Sequence, residues 1–136
     1  MKRAFALLTI VALAACNDST SPTAAVGAYG LASFDGVAVP FTETSTSTET
    51  VVLVSETLSI NPDGTWSDVA NENVTFNNNP QTTQSQQTVT SGTWSISGSS
   101  ITLSGDVFLS GTISGNTITF LIPRADGSSD VAVYSR

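Results

Sequence analysis

From residue 29 onward the apolar side chains of this chain recur at every second position, and no stretch places them at i, i+3, i+4 and i+7 over three turns. Period-two alternation puts one side chain in a core and the next in solvent, so it predicts half-buried β-strands. Tyr29, Leu31 and Ser33 alternate with small residues, and Val37, Val39 and Phe41 alternate after the Asp35-Gly36 turn, which predicts a hairpin over residues 29–41. Residues 42–50 (TETSTSTET) are polar and of low complexity, suited either to an exposed edge strand or to a loop. Residues 51–60 (VVLVSETLSI) put Val52, Val54, Leu58 and Ile60 on one parity, and Asn61-Pro62-Asp63-Gly64 closes the run as a tight turn. A return strand from Thr65 to Phe76 is only weakly patterned. The next turn, residues 77–80, leads into a Gln/Ser/Thr segment, Gln81 to Thr90, that reads as a polar flap reaching past the core.

The strongest pattern lies between Ser91 and Ile122. Gly92-Thr93-Trp94-Ser95-Ile96-Ser97 alternates strictly, turns at Gly98 to Ser100, and alternates again through Ile101-Thr102-Leu103. Gly111-Thr112-Ile113-Ser114, a Gly115-Asn116 turn and Thr117-Ile118-Thr119-Phe120 repeat that device. A hairpin used twice predicts a meander, each strand beside its sequence neighbour. Val107 and Leu109 suggest a short strand between the two copies. Residues 123–129 form a turn region, and Val131, Val133 and Tyr134 form the last strand. The fold class expected is all-β, a small antiparallel up-and-down meander barrel of eight to ten strands, with a two-sheet β-sandwich as the alternative. Successive tight hairpins favour the barrel, whose closure also removes exposed sheet edges.

Composition sharpens this. Ser and Thr supply 40 of the 136 residues. Threonine is β-branched and suits strands, whereas the long straight side chains that favour helices are scarce. The first sixteen residues stand apart: Lys2 and Arg3 precede an apolar run from Ala4 to Ala15 that stops at Cys16, the only cysteine. That run is too short for a membrane span, which needs about 20 apolar residues, and has the length of an export signal's apolar region. Leu13-Ala14-Ala15-Cys16 resembles the lipobox of bacterial lipoproteins. The resemblance implies cleavage before Cys16, lipid on its thiol and a cell-envelope location. Asn17 follows the cysteine in place of the Asp that marks inner-membrane retention in such proteins, so the outer membrane is favoured. The expected organisation is a signal peptide over 1–15, a flexible tether over 16–27, and a β-barrel domain over 28–136.

Charge and chemistry then exclude whole classes of function. The formal charge is −7, and removal of Lys2 and Arg3 leaves −9, with Arg124 and Arg136 the only basic side chains. Such a surface repels phosphate backbones, so no nucleic-acid partner is expected. Anionic headgroups repel it too, so the membrane is met through lipid on Cys16. With that cysteine lipidated no disulfide forms, and apolar packing with sheet hydrogen bonds must carry the stability. The chain has no histidine, and beyond residue 16 no lysine and no thiol. Ser–His and Cys–His nucleophiles and His/Cys zinc sites are therefore absent, and neither an enzyme nor a cofactor is expected. Asp63 reads as a turn residue, Asp68 and Glu72 as solvated charges, and Asp126 to Asp130 as a plain turn and not a calcium loop.

Two features bear on binding. Glu56 shares the parity of Leu58 and Ile60, which would aim it into the barrel and mark a ligand cavity; the favoured expectation is a β-bulge at Ser55-Glu56 that returns it to solvent. Trp66 and Trp94 are expected to close a barrel end as core, or else to line a pocket. Gly27, Tyr29 and Leu31, the Asp63 to Trp66 turn, and Gly92 to Ile96, behind a lipobox and short tether, together resemble bacterial lipocalin-like lipoproteins. That resemblance implies a barrel that holds a small apolar ligand, with Trp66, Trp94, Ile96, Phe120 and Glu56 as candidate lining. The alternative is a structural or protein-interaction module of the envelope with a filled core and no ligand.

Overall fold

The computed structural model describes residues 22–136 with the exception of residue 79. Residues 1–15, expected to be a signal peptide, and Cys16 lie outside the described residues. A single turn of helix, α1 (Pro22–Ala25), precedes ten strands: β1 (Gly27–Phe34), β2 (Val37–Ala38), β3 (Phe41–Ser45), β4 (Glu49–Ile60), β5 (Thr65–Phe76), β6 (Thr82–Ser97), β7 (Ser100–Gly105), β8 (Leu109–Ser114), β9 (Thr117–Pro123) and β10 (Ser129–Ser135). They form one antiparallel sheet in the order β2-β1-β10-β9-β8-β7-β6-β5-β4-β3. β1 pairs with β10 on one edge and with β4 on the other, so eight strands close into a meander barrel. Closure of one continuous sheet excludes the sandwich.

β1 contacts β4 only through Gly27 to Gly30; beyond that the two strands splay apart. The short strands β2 and β3 fill the gap, β2 beside the end of β1 and β3 beside the start of β4. The hairpin expected over 29–41 is therefore shorter than the alternation implied. Pro40 has no N–H to give a ladder, and the chain breaks there, leaving Val37 exposed and sending Phe41 into β3. The Thr-rich run after it is a genuine edge strand as far as Ser45. The repeated hairpins β6–β7 and β8–β9 match the expected device, with one correction: Val107 belongs to the β7–β8 loop, and β8 is a single strand from Leu109.

One end of the barrel is plugged. Ala25 is wholly buried, Tyr29 Oη donates to its carbonyl oxygen at 2.9 Å, and Arg136 donates to the Ala24 carbonyl at 2.8 Å while its guanidinium lies 4.8 Å from the Tyr29 ring centroid. Residues 22–27 thus belong to the folded domain, contrary to the expected tether boundary. Ala25 is small enough to enter the barrel end, where composition alone suggested nothing to bury.

β6 and β7 approach closely at Gly92 and Gly105, which face each other in register. A Cβ on Gly92 would overlap the Ser104 carbonyl oxygen and come within 2.9 Å of Gly105 Cα. Trp66 stands opposite Gly92 on β5, covering the missing side chain. Gly92→Ala is accordingly expected to cost about 1–3 kcal/mol through overpacking, measured as a lower urea midpoint; an unchanged midpoint would mean the two strands move apart freely.

Candidate ligand cavity

The inward face of β5 carries Trp66, Asp68, Ala70 and Glu72. Asp68 is paired with Leu58 on β4 and Thr90 on β6; Ala70 is paired with Glu56 and Thr88. Glu56 is therefore the diagonal neighbour of Asp68, within reach of its carboxyl. Glu56 faces inward because the irregularity in β4 falls between Leu53 and Ser55, one step before the position expected from sequence. The bulge flips the residues preceding it instead: Leu53 is 2% exposed and Val54 is 41% exposed. The shared inward parity of Val52 and Val54 with Leu58 and Ile60 is thereby overturned.

Where β1 swings away from β4, Tyr134 of β10 spans the opening and its hydroxyl donates to Glu56 Oε1. The Tyr134 ring meets Phe120 edge-on, with centroids 5.9 Å apart, which fixes the direction in which the hydroxyl points. This crossbar separates two recesses. The inner one, about 260 Å³, has walls of Leu58, Trp66, Ala70, Leu103, Leu109, Phe120 and Ile122, with Glu56, Asp68, Glu72, Thr88, Thr90 and Tyr134 as its polar groups. The outer one, about 360 Å³, lies beneath β2 and β3 among Phe34, Val37, Phe41, Glu43 and Leu53, and shares Glu56, Ile122 and Tyr134 with the first. Each is close to the lower bound of roughly 300–1,000 Å³ for small-molecule sites, and both have the mixture of apolar walls and a few convergent polar groups that such sites show.

The electrostatics are one-sided. Burial, then the hydrogen bond and charge of Glu56, push the Asp68 carboxyl up to about 8. Asp68 Oδ1 is sealed from solvent and makes no hydrogen bond among the described residues, while the Val69 backbone N–H at the carboxyl opposes the upward shift without reversing it. Retaining the proton spares the protein an unpaired buried charge and lets Asp68 bond to Glu56. Burial and the nearby Asp68 and Glu56 carboxyls likewise push the Tyr134 hydroxyl upward. Glu43 is raised by burial and then by Glu72 and Glu56.

Of the residues anticipated from sequence, Glu56, Trp66 and Phe120 meet in the inner recess. Trp94 and Ile96 do not reach it. They also alternate inward, but nearer the plugged end, half-buried against the core; the Trp94 indole N–H donates to the Asn61 carbonyl at 2.9 Å, beside a shallow depression shared with Thr23, Val26 and Pro62. Asp68 and Glu72 were expected to be solvated, and the structure instead turns them to the interior. Their spacing from Trp66 held the signal, since residues 66, 68, 70 and 72 share one parity, but a carboxylate between apolar positions reads more simply as solvent-facing. Asp63 and Asp126 are turn residues, accepting from Thr65 and Ser128 respectively. No cluster of His, Cys, Asp or Glu among the described residues could hold a metal ion. Compared with known proteins, the chain matches no family model, no curated protein and no solved structure.

Proposed function

We propose that this chain is a lipid-anchored cell-envelope protein of the bacterial lipocalin-like kind, binding a small apolar molecule inside its barrel and catalysing no reaction. The observation that carries the reading is the hollow, apolar-walled half of the barrel on the far side of Trp66, reached past the Tyr134–Glu56 crossbar. It supports a ligand-holding barrel over an interaction module with a filled core. Titrating octan-1-ol into the purified full chain is expected to shift Trp66 fluorescence and to give a one-to-one complex by native mass spectrometry. A spectrum unchanged at saturating alcohol, with no complex detected, would remove the binding role.

The anchor has its own test. Cys16→Ser is expected to move the protein from the membrane to the soluble fraction, and the mature N-terminal peptide to carry the mass of at least a diacylglyceryl group. An unmodified Cys16 in native membranes would end this part of the reading. The geometry adds a consequence. Pro22 lies at the plugged end, and the six steps from Cys16 reach at most about 20 Å. A lipid on Cys16 would therefore hold that end toward the bilayer and leave the cavity mouth facing away from it, so ligands would enter from the aqueous side.

A further inference from the structure

Among the described residues, every titratable side chain that faces the inner recess is an acid. β4 presents Glu56, β5 presents Asp68 and Glu72, and β10 presents Tyr134. Glu43 of β3 joins them in the outer recess and is close enough to feel Glu56 and Glu72. β6 contributes the neutral Thr88 and Thr90, with Gln86 donating to Glu72 at 2.6 Å. Among the described residues the one basic side chain nearby, Arg124, borders only the outer recess and is engaged by Asp35 and Asp130 at the rim.

This asymmetry distinguishes among apolar ligands. A fatty acid or other anion would bring a charge into a field of its own sign. A neutral molecule would fill the apolar space and offer the two carboxyls at most an uncharged donor, such as the single O–H of an alcohol. An ammonium group carries three donors and no acceptor, so it can pair the Asp68 and Glu56 carboxyls together, both of which line the recess.

We propose that the cavity selects an amphipathic cation, an ammonium head seated at Glu56 and Asp68 with its apolar body against Trp66, Leu103 and Phe120. The proposal rests on the reading of the cavity as a ligand site and names the class of ligand. Trp66 and Phe120 line the same recess as the two carboxyls, which gives the cation aromatic walls. Seating the cation also has a proton consequence. Asp68 holds its proton at neutral pH. An incoming ammonium replaces that proton as the positive partner, so the Asp68 O–H bond breaks, the electron pair stays on the carboxylate and the proton leaves to solvent. Binding of the cation therefore releases a proton, whereas binding of a neutral molecule releases none.

The test compares octylamine, octan-1-ol and octanoate by isothermal titration calorimetry at pH 7, using the full chain and its isosteric double variant Glu56→Gln/Asp68→Asn. In the unaltered protein octylamine is expected to bind at least about tenfold tighter than octan-1-ol, as a charge-assisted hydrogen bond would give, and octanoate more weakly than both. Its heat should differ between phosphate and Tris buffers by the released proton, while that of the alcohol should not. In the double variant the amine and the alcohol should bind alike. Alcohol binding as tight as the amine overturns the proposal and leaves the apolar-ligand reading standing, as does an amine preference that survives in the double variant. Binding of none of the three removes both. Should the double variant fail to fold, the single variant Asp68→Asn decides: octylamine binding to it must lose the buffer-dependent heat.

Discussion

Replacing Trp66 by alanine is expected to lower the unfolding free energy by about 3–5 kcal/mol, the range for removing a large aromatic side chain from a packed core. Trp66 is 2% exposed and sits where three features of the barrel meet. It is paired with Ile60 across β4, it covers Gly92 across β6, and its indole N–H donates to the Ser104 carbonyl at 3.1 Å on β7. Gly92 and Gly105 cannot supply replacement volume without driving β6 and β7 apart. The void left by alanine would therefore stay open and merge with the recess above it. A small domain has about 5–15 kcal/mol of net stability, so the loss should be plain in a urea or thermal melt. Trp66→Phe restores most of the volume but leaves the Ser104 carbonyl without its donor, and should recover part of the loss. A cost below about 1 kcal/mol for the alanine variant would show that the barrel collapses around the site and that Trp66 is not its keystone.

The second large effect is on pH dependence. The Asp68 carboxyl has its folded-state value raised to about 8 against an ordinary 3.8. Between those values the folded protein holds a proton that the unfolded chain has lost, so ΔG of unfolding falls as pH rises. The contribution of Asp68 is fully present below about pH 4 and is lost progressively as pH climbs through 8. The slope from one such proton is at most about 1.4 kcal/mol per pH unit. Glu43, raised by burial, acts in the same direction. Asp63 and Asp126 act oppositely: hydrogen bonds from Thr65 and Ser128 lower them, and their contribution is lost only in acid, as pH drops through their folded values. Stability is thus expected to be greatest in mildly acidic solution and to decline toward pH 9. Asp68→Asn keeps the shape and removes the titration, so its profile should be visibly flatter over that window, with the variant overtaking the parent at the alkaline end. Superimposable profiles for the two proteins would mean that Asp68 is ionised in the barrel like any surface carboxylate.

How far the site could be read beforehand differs residue by residue. Phe120 sits in a short alternating segment bounded by turn residues, so its inward direction follows from local parity, whereas Trp66 stands out as a large apolar residue just after the Asp63-Gly64 turn on a weakly patterned strand. Glu56 has the same parity evidence, yet its direction depends on where β4 bulges. The bulge between Leu53 and Ser55 has no compositional mark in a run of Val, Leu and Ser, because the extra residue is accommodated by pairing with Asn71 and Glu72 on another strand. Asp68 and Glu72 lie on a strand whose polar and apolar residues are mixed on both faces, and only the closed barrel makes one of those faces an interior. Trp94 and Ile96 alternate as well as any residue in the chain, but parity cannot tell height along the barrel axis, and they sit nearer the plugged end than the cavity.

Alternation of apolar and polar residues, spaced turn signals and a twice-used hairpin were enough to specify an all-β meander, because strand direction and neighbour pairing are local properties. Acidic composition and the lack of histidine bounded the chemistry in the same way. The tertiary structure alone decided that β1 meets β4 through four residues and then parts from it. It also decided that Ala25 and Arg136 plug one end, and that Glu56, Asp68 and Tyr134, from three separate strands, converge in one recess. Those outcomes depend on how the sheet closes and where its register shifts, and both are settled by packing among residues far apart in the chain.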